Sequence, residues 1–452
     1  MYLLYNILLA IGMFFLGPYY AIRGWRQGKY WHSLRERAGQ LPPAVLIAAA
    51  SAANNRQGLI WIHAVSVGEV LAVESLIAKL RAKHPEKLIL VSTTTDTGQK
   101  IAKERLGLSS GNRADAFFYF PFDFPHVVRK VLRALNPELI IIVETEIWPN
   151  FLREARRRNI PVVFVNARIS ERSFKRLRRA RHAFSVFFSR VLASATLYLA
   201  QSDADAARLR EIGAPDDIVE VAGNMKYDSE PPTLGPFGIW LTAQIKSQER
   251  WPVVVAGSIV EDEEESVLAA FDVVQRQWRR ALLLLAPRKP ANFDHVARLV
   301  TQDGWIITRR TQIDTNSNLD ENADVLLLDS IGELAGLYAI ADVTFVGGSL
   351  VPSGGHNILE PSWFGRPPIF GPYMANFRDM AGQYYSQGAG VQVASSADLA
   401  AAWIKLIRDE ALANRMGEKA KNLAQQNRGA TDRCLQRIES ILAQQGIERS
   451  SK

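Results

Sequence analysis

The sequence predicts an α/β protein made of two doubly wound domains of similar size, preceded by an apolar N-terminal helix. Two observations carry the α/β class. From residue 59 onward, short Val/Ile/Leu-rich runs alternate with helical segments, the pattern of parallel sheets covered on both faces. The cycle breaks once, at residues 224–238, where NMKYDSEPPTLGPFG holds three prolines and two glycines, a linker signature. Size agrees: 452 residues, 48% hydrophobic and 22% charged, suffice for two sizeable cores.

The chain opens with YLLYNILLAIGMFFLGPYYAI, residues 2–22, which contains no charged residue and is just long enough to cross a bilayer. It lacks the basic start and small-residue cleavage site of a secretory signal. Arg23, Arg26, Lys29, Arg35 and Arg37 follow, which places the rest of the chain on the cytoplasmic side of a membrane. Residues 1–35 thus read as a membrane anchor with a basic exit. Asn6, Pro18 and two glycines leave a second reading open, a helix lying in the interface or buried in the fold. The single cysteine, Cys434, excludes an intramolecular disulfide and a cysteine-cluster metal site.

The net charge is +8, and it concentrates in residues 153–181, where eleven Arg or Lys stand against two Glu. Such a run is ordinarily a solvated face; beside an anchor it also suits anionic phospholipid or a phosphorylated lipid. With no nucleic-acid motif or second basic strip, nucleic acid is not expected as a partner.

Strands of the first domain, residues 36–228, read LIWIHAV, LILVSTTT, AFFYFP, ELIIIVET, PVVFVNA, LYLAQ and IVEVAG. After a linker at 229–238, the second domain, 239–425, reads WPVVVAGS, ALLLLAP, WIITR, DVLLLD, DVTFVGG and PPIFG. Residues 426–452 form a helical tail that could pack back on the first domain. Ligands of such sheets bind at the carboxyl ends of the strands, here expected to face an interdomain cleft.

Candidate chemistry lies at those strand ends. In HAVSVGEV, Ser66 and Glu69 have the spacing of a helix-capping box, in which Ser caps a backbone N–H and Glu reaches back. A cap alone accounts for that spacing, yet Glu69 ends the first strand beside Gly68, where a ligand can come close. In ETEIWPN, Glu144 and Glu146 follow a buried strand, and strand alternation would send both to one face. Either one of them caps the helix containing Pro149, or the pair faces the cleft. In the second domain, PRKP brings Arg288 and Lys289 to a strand end, DSIGEL repeats capping-box spacing at Ser330 and Glu333, and FVGGSLVPSGGHNILEP joins a Gly-rich loop to a helix start. There Asn357 caps Ile358, Leu359 and Glu360, which suits an anion and ribose hydroxyls. Together these favour a nucleotide site, although neither GxGxxG nor GxxxxGK[ST] is present. Lys226, in GNMKYD, could reach a phosphate from the linker side.

HAVSVGEV, ETEIWPN, NARIS, GNMKYD, APRKP and FVGGSLVPSGGHNILEP, with the uncharged start, resemble the bacterial 3-deoxy-D-manno-octulosonic acid (Kdo) transferases of lipopolysaccharide synthesis, in the same order from about residue 2 to 425. The resemblance implies a GT-B fold, two Rossmann-like domains, an anchored acceptor-binding N-terminal half and a C-terminal half that binds CMP-Kdo. It implies Glu69 as general base, with Glu144 and Lys226 as transition-state stabilisers. CMP contacts would fall on Pro287 and Arg288, on Ile331, Gly332 and Glu333, and on Asn357, Ile358, Leu359 and Glu360. The family usually has PRHPERF where this chain has PRKPANF, and often GSTHxGEE where it has GSIVEDEEE.

The implied reaction is an inverting transfer from CMP-Kdo to a lipid A precursor at the cytoplasmic face of the inner membrane. Glu69 takes the acceptor proton, Glu144 meets positive charge on the sugar, and Arg288 and Lys226 meet charge on the departing phosphate. A monophosphate leaving group needs less neutralisation than a diphosphate, so no cofactor and no obligatory metal are expected. The alternatives are a UDP-sugar enzyme of the same fold and a non-catalytic, membrane-associated nucleotide-binding protein.

Overall fold

The computed structural model describes residues 1–26, 31–55, 57–107 and 113–450. The chain divides into two compact units, Met1–Ser229 with Asn427–Lys452, and Glu230–Gln426.

The first unit holds a seven-stranded parallel sheet. Its strands are β1 (Leu59–His63), β2 (Leu88–Thr93), β3 (Ala116–Tyr119), β4 (Leu139–Val143), β5 (Val162–Ala167), β6 (Leu197–Ala200) and β7 (Val219–Val221), in the order β3-β2-β1-β4-β5-β6-β7. Every residue of β1 and β4 is buried, which is why both read as unbroken apolar runs rather than alternating ones. Trp61, Leu90, Ile140 and Phe164 join one core with Phe118 and Phe151. Ile60, Ile62, Ile141 and Val143 join the other, beneath the helix Val67–Lys83 and the C-terminal helix Ala430–Ser450. Each fully buried large side chain of this kind contributes ~1.5–3 kcal/mol.

The second unit repeats the plan with β8 (Val253–Ile259), β9 (Leu282–Pro287), β10 (Ile307–Arg309), β11 (Val325–Leu327), β12 (Val343–Val346), β13 (Ile369–Phe370) and β14 (Val391–Gln392), ordered β10-β11-β9-β8-β12-β13-β14. All thirteen strands read from the sequence are present. The one missed, β14, has two residues, too few for any periodicity to register.

Both sheets reverse direction of growth once, between β1 and β4 and between β8 and β12. Chain leaving two such neighbours turns to opposite faces of the sheet, so a crevice opens beyond their carboxyl ends. The 224–238 interruption is less uniform than a linker. A helical turn occupies Met225–Asp228, and the helix Pro236–Ser247 starts on its proline.

The N-terminal residues form a helix, Tyr2–Arg26, that carries its own docking contacts within the first unit. Tyr2 packs edge-on against Phe187 at 5.1 Å. Leu3, Leu4, Ile7, Leu8, Ile11, Phe14 and Phe15 of the same helix are exposed. Among the described residues no helix is long and apolar enough to cross a membrane. The alanine-rich stretch near residue 50 lies in another helix, Pro43–Asn54.

Candidate active site

In the first unit, β1 delivers the chain to the switch point and the helix Val67–Lys83 leaves it, with extended Ser66 at the cap position. The capping box expected there is not built as such: the Ser66 hydroxyl accepts no helix N–H, and Glu69 reaches back to the N–H of Val65, one residue before the cap. The Ser66 hydroxyl instead donates to Glu69 Oε1 at 3.1 Å, while the Val65 N–H donates to Oε2 at 2.7 Å. Glu69 is thus held by its own turn, at the positive end of a helix, beside exposed Gly68. The residue is only 7% exposed. Burial, then the charges of Glu144 and Glu146, push its pKa up to about 8 against the pull of Val65 N–H and Ser66.

β4 lies next to β1, and Glu144 is the first residue beyond it. Its φ of 60° is left-handed, a conformation that costs a non-glycine residue ~1 kcal/mol or more. Its N–H still reaches Val165 O at 2.9 Å. This turn ends the pleat, so the expected strand alternation of Glu144, Thr145 and Glu146 does not apply. Thr145 Oγ1 instead accepts the Arg168 N–H at 2.9 Å and donates to the Arg168 carbonyl. Burial first, then Glu144, raises the Glu146 carboxyl. Neither glutamate caps the next helix, Pro149–Arg157: Asp123 does, accepting the N–H groups of Asn150 and Phe151 at 3.0 and 2.7 Å.

Lys226 sits on the turn after β7. Asn224 Oδ1 accepts its backbone N–H, and Asn166 Oδ1 accepts that of Met225, each at 3.0 Å. Asn166 is buried and left-handed, φ 55°. Asp228 closes the turn by accepting the N–H groups of Gly429 and Thr431 at the start of the C-terminal helix. Lys226 Nζ lies 4.0 Å from Glu144 Oε1. Burial lowers its pKa, with Glu144 and Glu69 pulling it up and Arg168 pushing it down. The structure therefore brings Glu69, Glu144 and Lys226 together, and adds Glu146 and Arg168.

In the second unit, buried Pro287 closes β9 and Arg288 is exposed, its N–H on Ile259 O at 2.8 Å. Arg288 bears on His356 and Glu360. Burial raises Glu360 to about 7, with Asn357 and Arg288 holding it down. Burial and then Arg288 lower His356 to about 4. Asn357 accepts only the Leu359 N–H, at 3.1 Å, and the helix it opens, Leu359–Trp363, has five residues. This replaces the expected cap over Ile358, Leu359 and Glu360. Ile358 and Leu359 are fully buried, so they can offer a ligand backbone alone.

Glu333 differs from expectation more strongly. Arg310 grips its carboxylate at 2.9–3.2 Å, Ser330 donates to it as Ser66 does to Glu69, and Arg310 stacks 3.9 Å from the Phe237 ring centroid. Its side chain is engaged within the protein, while neighbouring Ile331 is exposed and Gly332 is left-handed (φ 94°).

Sequence reasoning missed Glu263. Fully buried, it accepts the N–H groups of Gly348, Ser349 and Leu350 at 2.6–2.7 Å. It ties the loop after β8 to the Gly-rich loop after β12 across the switch point. Nothing in the acidic run EDEEE distinguishes it. A cavity of about 430 Å³ lies at the ends of β13 and β14, lined by Ser353, Gly354, Tyr373, Arg378 and Gln392 among others. Among the described residues no three His, Cys, Asp or Glu are grouped to hold a metal ion.

A family model described as 3-deoxy-D-manno-octulosonic-acid transferase (kdotransferase) matches residues 32–229, and one described as glycosyl transferases group 1 matches 310–423. The 3-deoxy-D-manno-octulosonic acid transferase of Haemophilus influenzae is 34% identical over 384 residues, 85% of this chain and 87% of that one. The enzyme of the same name from Bordetella pertussis is 32% identical over 416 residues, 90% of each chain. Among solved structures, Anabaena Alr3699/HepE in complex with UDP covers 86% of this chain and 100% of its own, with a TM-score of 0.55 at 17% identity. A glycosyltransferase from Rickettsia africae covers 86% and 98%, with a TM-score of 0.53 at 13% identity. Those two share the fold, a pair of parallel-sheet α/β domains like GT-B glycosyltransferases. With a third of its residues shared along most of its length with curated members, this chain belongs to the 3-deoxy-D-manno-octulosonic acid transferases and is a glycosyltransferase.

Proposed function

We propose that the chain transfers Kdo from CMP-Kdo to a lipid A precursor, with inversion, in lipopolysaccharide synthesis. The observation that carries this is the Glu69 carboxylate at the carboxyl end of β1, gathered with Glu144 and Lys226 and held only by neutral donors of its own turn. Ionised, such a carboxylate accepts the proton of an acceptor hydroxyl as that oxygen bonds to the anomeric carbon of Kdo. The bond from that carbon to the phosphate oxygen breaks, and CMP leaves with its electron pair. Glu144 faces the positive charge that develops on the sugar, and Lys226 pairs with it at 4.0 Å and holds its carboxylate in place. Arg288 takes the phosphate, Glu360 and Asn357 the ribose, and the backbone at Ile331 and Gly332 completes the donor site.

Arg288 is well placed to neutralise a monophosphate, so the reaction requires no metal, and full activity in EDTA is the expected result. The exposed apolar side chains of the N-terminal helix, from Leu3 to Phe15, and the basic stretch at 153–181 fit association with an anionic phospholipid surface at the cytoplasmic face of the inner membrane. Incubation with CMP-Kdo and a tetraacylated lipid A precursor, followed by mass spectrometry of the lipid, tests the proposal. Addition of Kdo supports it. Turnover with UDP-sugars alone, or CMP binding without product, overturns it.

A further inference from the structure

The 144–148 loop carries Glu144 and Glu146 and is pinned at both ends. At the β4 end, Glu144 N–H bonds to Val165 O and Thr145 clasps Arg168. The other end is the first turn of the helix Pro149–Arg157. Its cap, Asp123, comes from the segment after β3 and is 2% exposed. Besides the two backbone N–H groups, Asp123 accepts a third donor, the Tyr5 hydroxyl, at 2.9 Å on Oδ2. Asn150 Nδ2 divides its two hydrogens between the Asp123 carbonyl at 2.6 Å and Asn6 Oδ1 at 2.7 Å. Tyr5 and Asn6 belong to the N-terminal helix, whose Leu3, Leu4, Ile7 and Leu8 are exposed. One helix thus turns apolar side chains outward and two polar ones inward onto the cap of the carboxylate loop.

We infer that Tyr5 and Asn6 are positioning residues for the transfer reaction: they hold the far end of the 144–148 loop, through Asp123 and Asn150, in the geometry that keeps Glu144 beside Glu69 and Lys226. The physical reason is satisfaction. A buried carboxylate that loses a donor, or a buried amide that loses its acceptor, rearranges to recover a partner, and the chain free to move is the loop. The inference rests on the catalytic roles proposed for Glu69 and Glu144.

Tyr5→Phe is the test, because it keeps the ring against Phe187 (centroids 6.1 Å apart) and removes only the hydroxyl. Asn6→Ala is the companion variant. Each is compared with wild type for sedimentation with phosphatidylethanolamine–phosphatidylglycerol vesicles, CMP binding, kcat, acceptor KM and the pH profile of kcat/KM. A sub-ångström misplacement predicts kcat lower by ~5–30-fold, with vesicle and CMP binding unchanged. The profile supplies a readout that loss of stability alone would not move. Glu69 faces Glu144 and Glu146 from the loop, Lys226 from the turn, and Val65 N–H and Ser66 from its own element. A loop that recedes takes the two negative charges with it, so the acid limb set by Glu69 moves to lower pH. Wild-type kcat, an unmoved limb, or a kcat loss that tracks lost vesicle binding each overturns the inference. Glu144→Gln run alongside separates the two levels. If it is as active as wild type, the role of Glu144 falls; if it is crippled while Tyr5→Phe is normal, only the positioning inference falls.

Discussion

Lys226→Met keeps the length of the side chain and deletes its charge, which isolates what the cation does. Nζ lies 4.0 Å from Glu144 Oε1, with 18% and 27% of the two side chains exposed. At that distance and an effective dielectric constant of ~20, the Coulomb attraction is about 4 kcal/mol. Partial exposure and desolvation of the lysine reduce what is realised, and taking half of it leaves about 2 kcal/mol, or ~30-fold in rate. Two consequences follow. Glu144 loses the ion-pair partner that holds its carboxylate in place, so the developing sugar cation is met less well and kcat falls ~30-fold. Glu69 also loses a facing cation while Glu144 and Glu146 remain, so its pKa, already raised to about 8, rises further. The base acts when deprotonated, and the acid limb of kcat/KM therefore moves to higher pH, opposite to the shift expected of Tyr5→Phe. Initial rates of CMP release between about pH 6 and 10, measured over a range of acceptor concentrations from well below KM to saturation, give both quantities. A variant with wild-type kcat, or with a limb displaced to lower pH, would refute the electrostatic reasoning.

Glu263→Gln leaves one acceptor oxygen where four N–H groups, those of Val260, Gly348, Ser349 and Leu350, need satisfying, and should lower stability by ~2–3 kcal/mol while raising the donor KM more than it lowers kcat; melting curves and CMP titration check both. Glu69→Gln has a stability signature as well. A folded-state pKa raised from 4.5 to about 8 makes the native state bind the extra proton between those values, so wild-type stability from this group is full below pH 4.5 and declines as pH rises to 8. At 1.36 kcal/mol per pH unit the loss is at most about 5 kcal/mol. The variant lacks that titration, so the melting temperature of the variant minus that of wild type grows from pH 5 to pH 8, and a constant difference contradicts it.

The strands were legible because both faces of each sheet are covered, so burial writes itself as runs rich in Val, Ile and Leu in β1, β4, β8 and β9. The placing of Glu69 and Glu144 followed from strand ends alone, since the switch point collects ligand sites. What spacing could not reveal was the direction of hydrogen bonding. Ser66–Glu69 and Ser330–Glu333 share one pattern, and in both the serine donates to the glutamate. One carboxylate is left with donors of its own turn and the other is gripped by Arg310, 23 residues away in sequence. That difference depends on which distant side chain arrives. The cap on the helix after ETEIWPN arrives from Asp123, with a third donor 118 residues away in Tyr5, and no local pattern encodes it. Left-handed Glu144 and Asn166 are equally silent, because only glycine advertises such a backbone.

The most direct test of the account is the turnover of folded Glu69→Gln with saturating CMP-Kdo and a tetraacylated lipid A precursor, read by mass spectrometry of the lipid at pH 8.5. The variant keeps the shape and much of the hydrogen bonding of the turn but cannot take a proton. The account predicts CMP binding within about twofold of wild type and a rate lower by ~10²–10⁴-fold. Turnover near the wild-type rate in a folded, CMP-binding variant would contradict it.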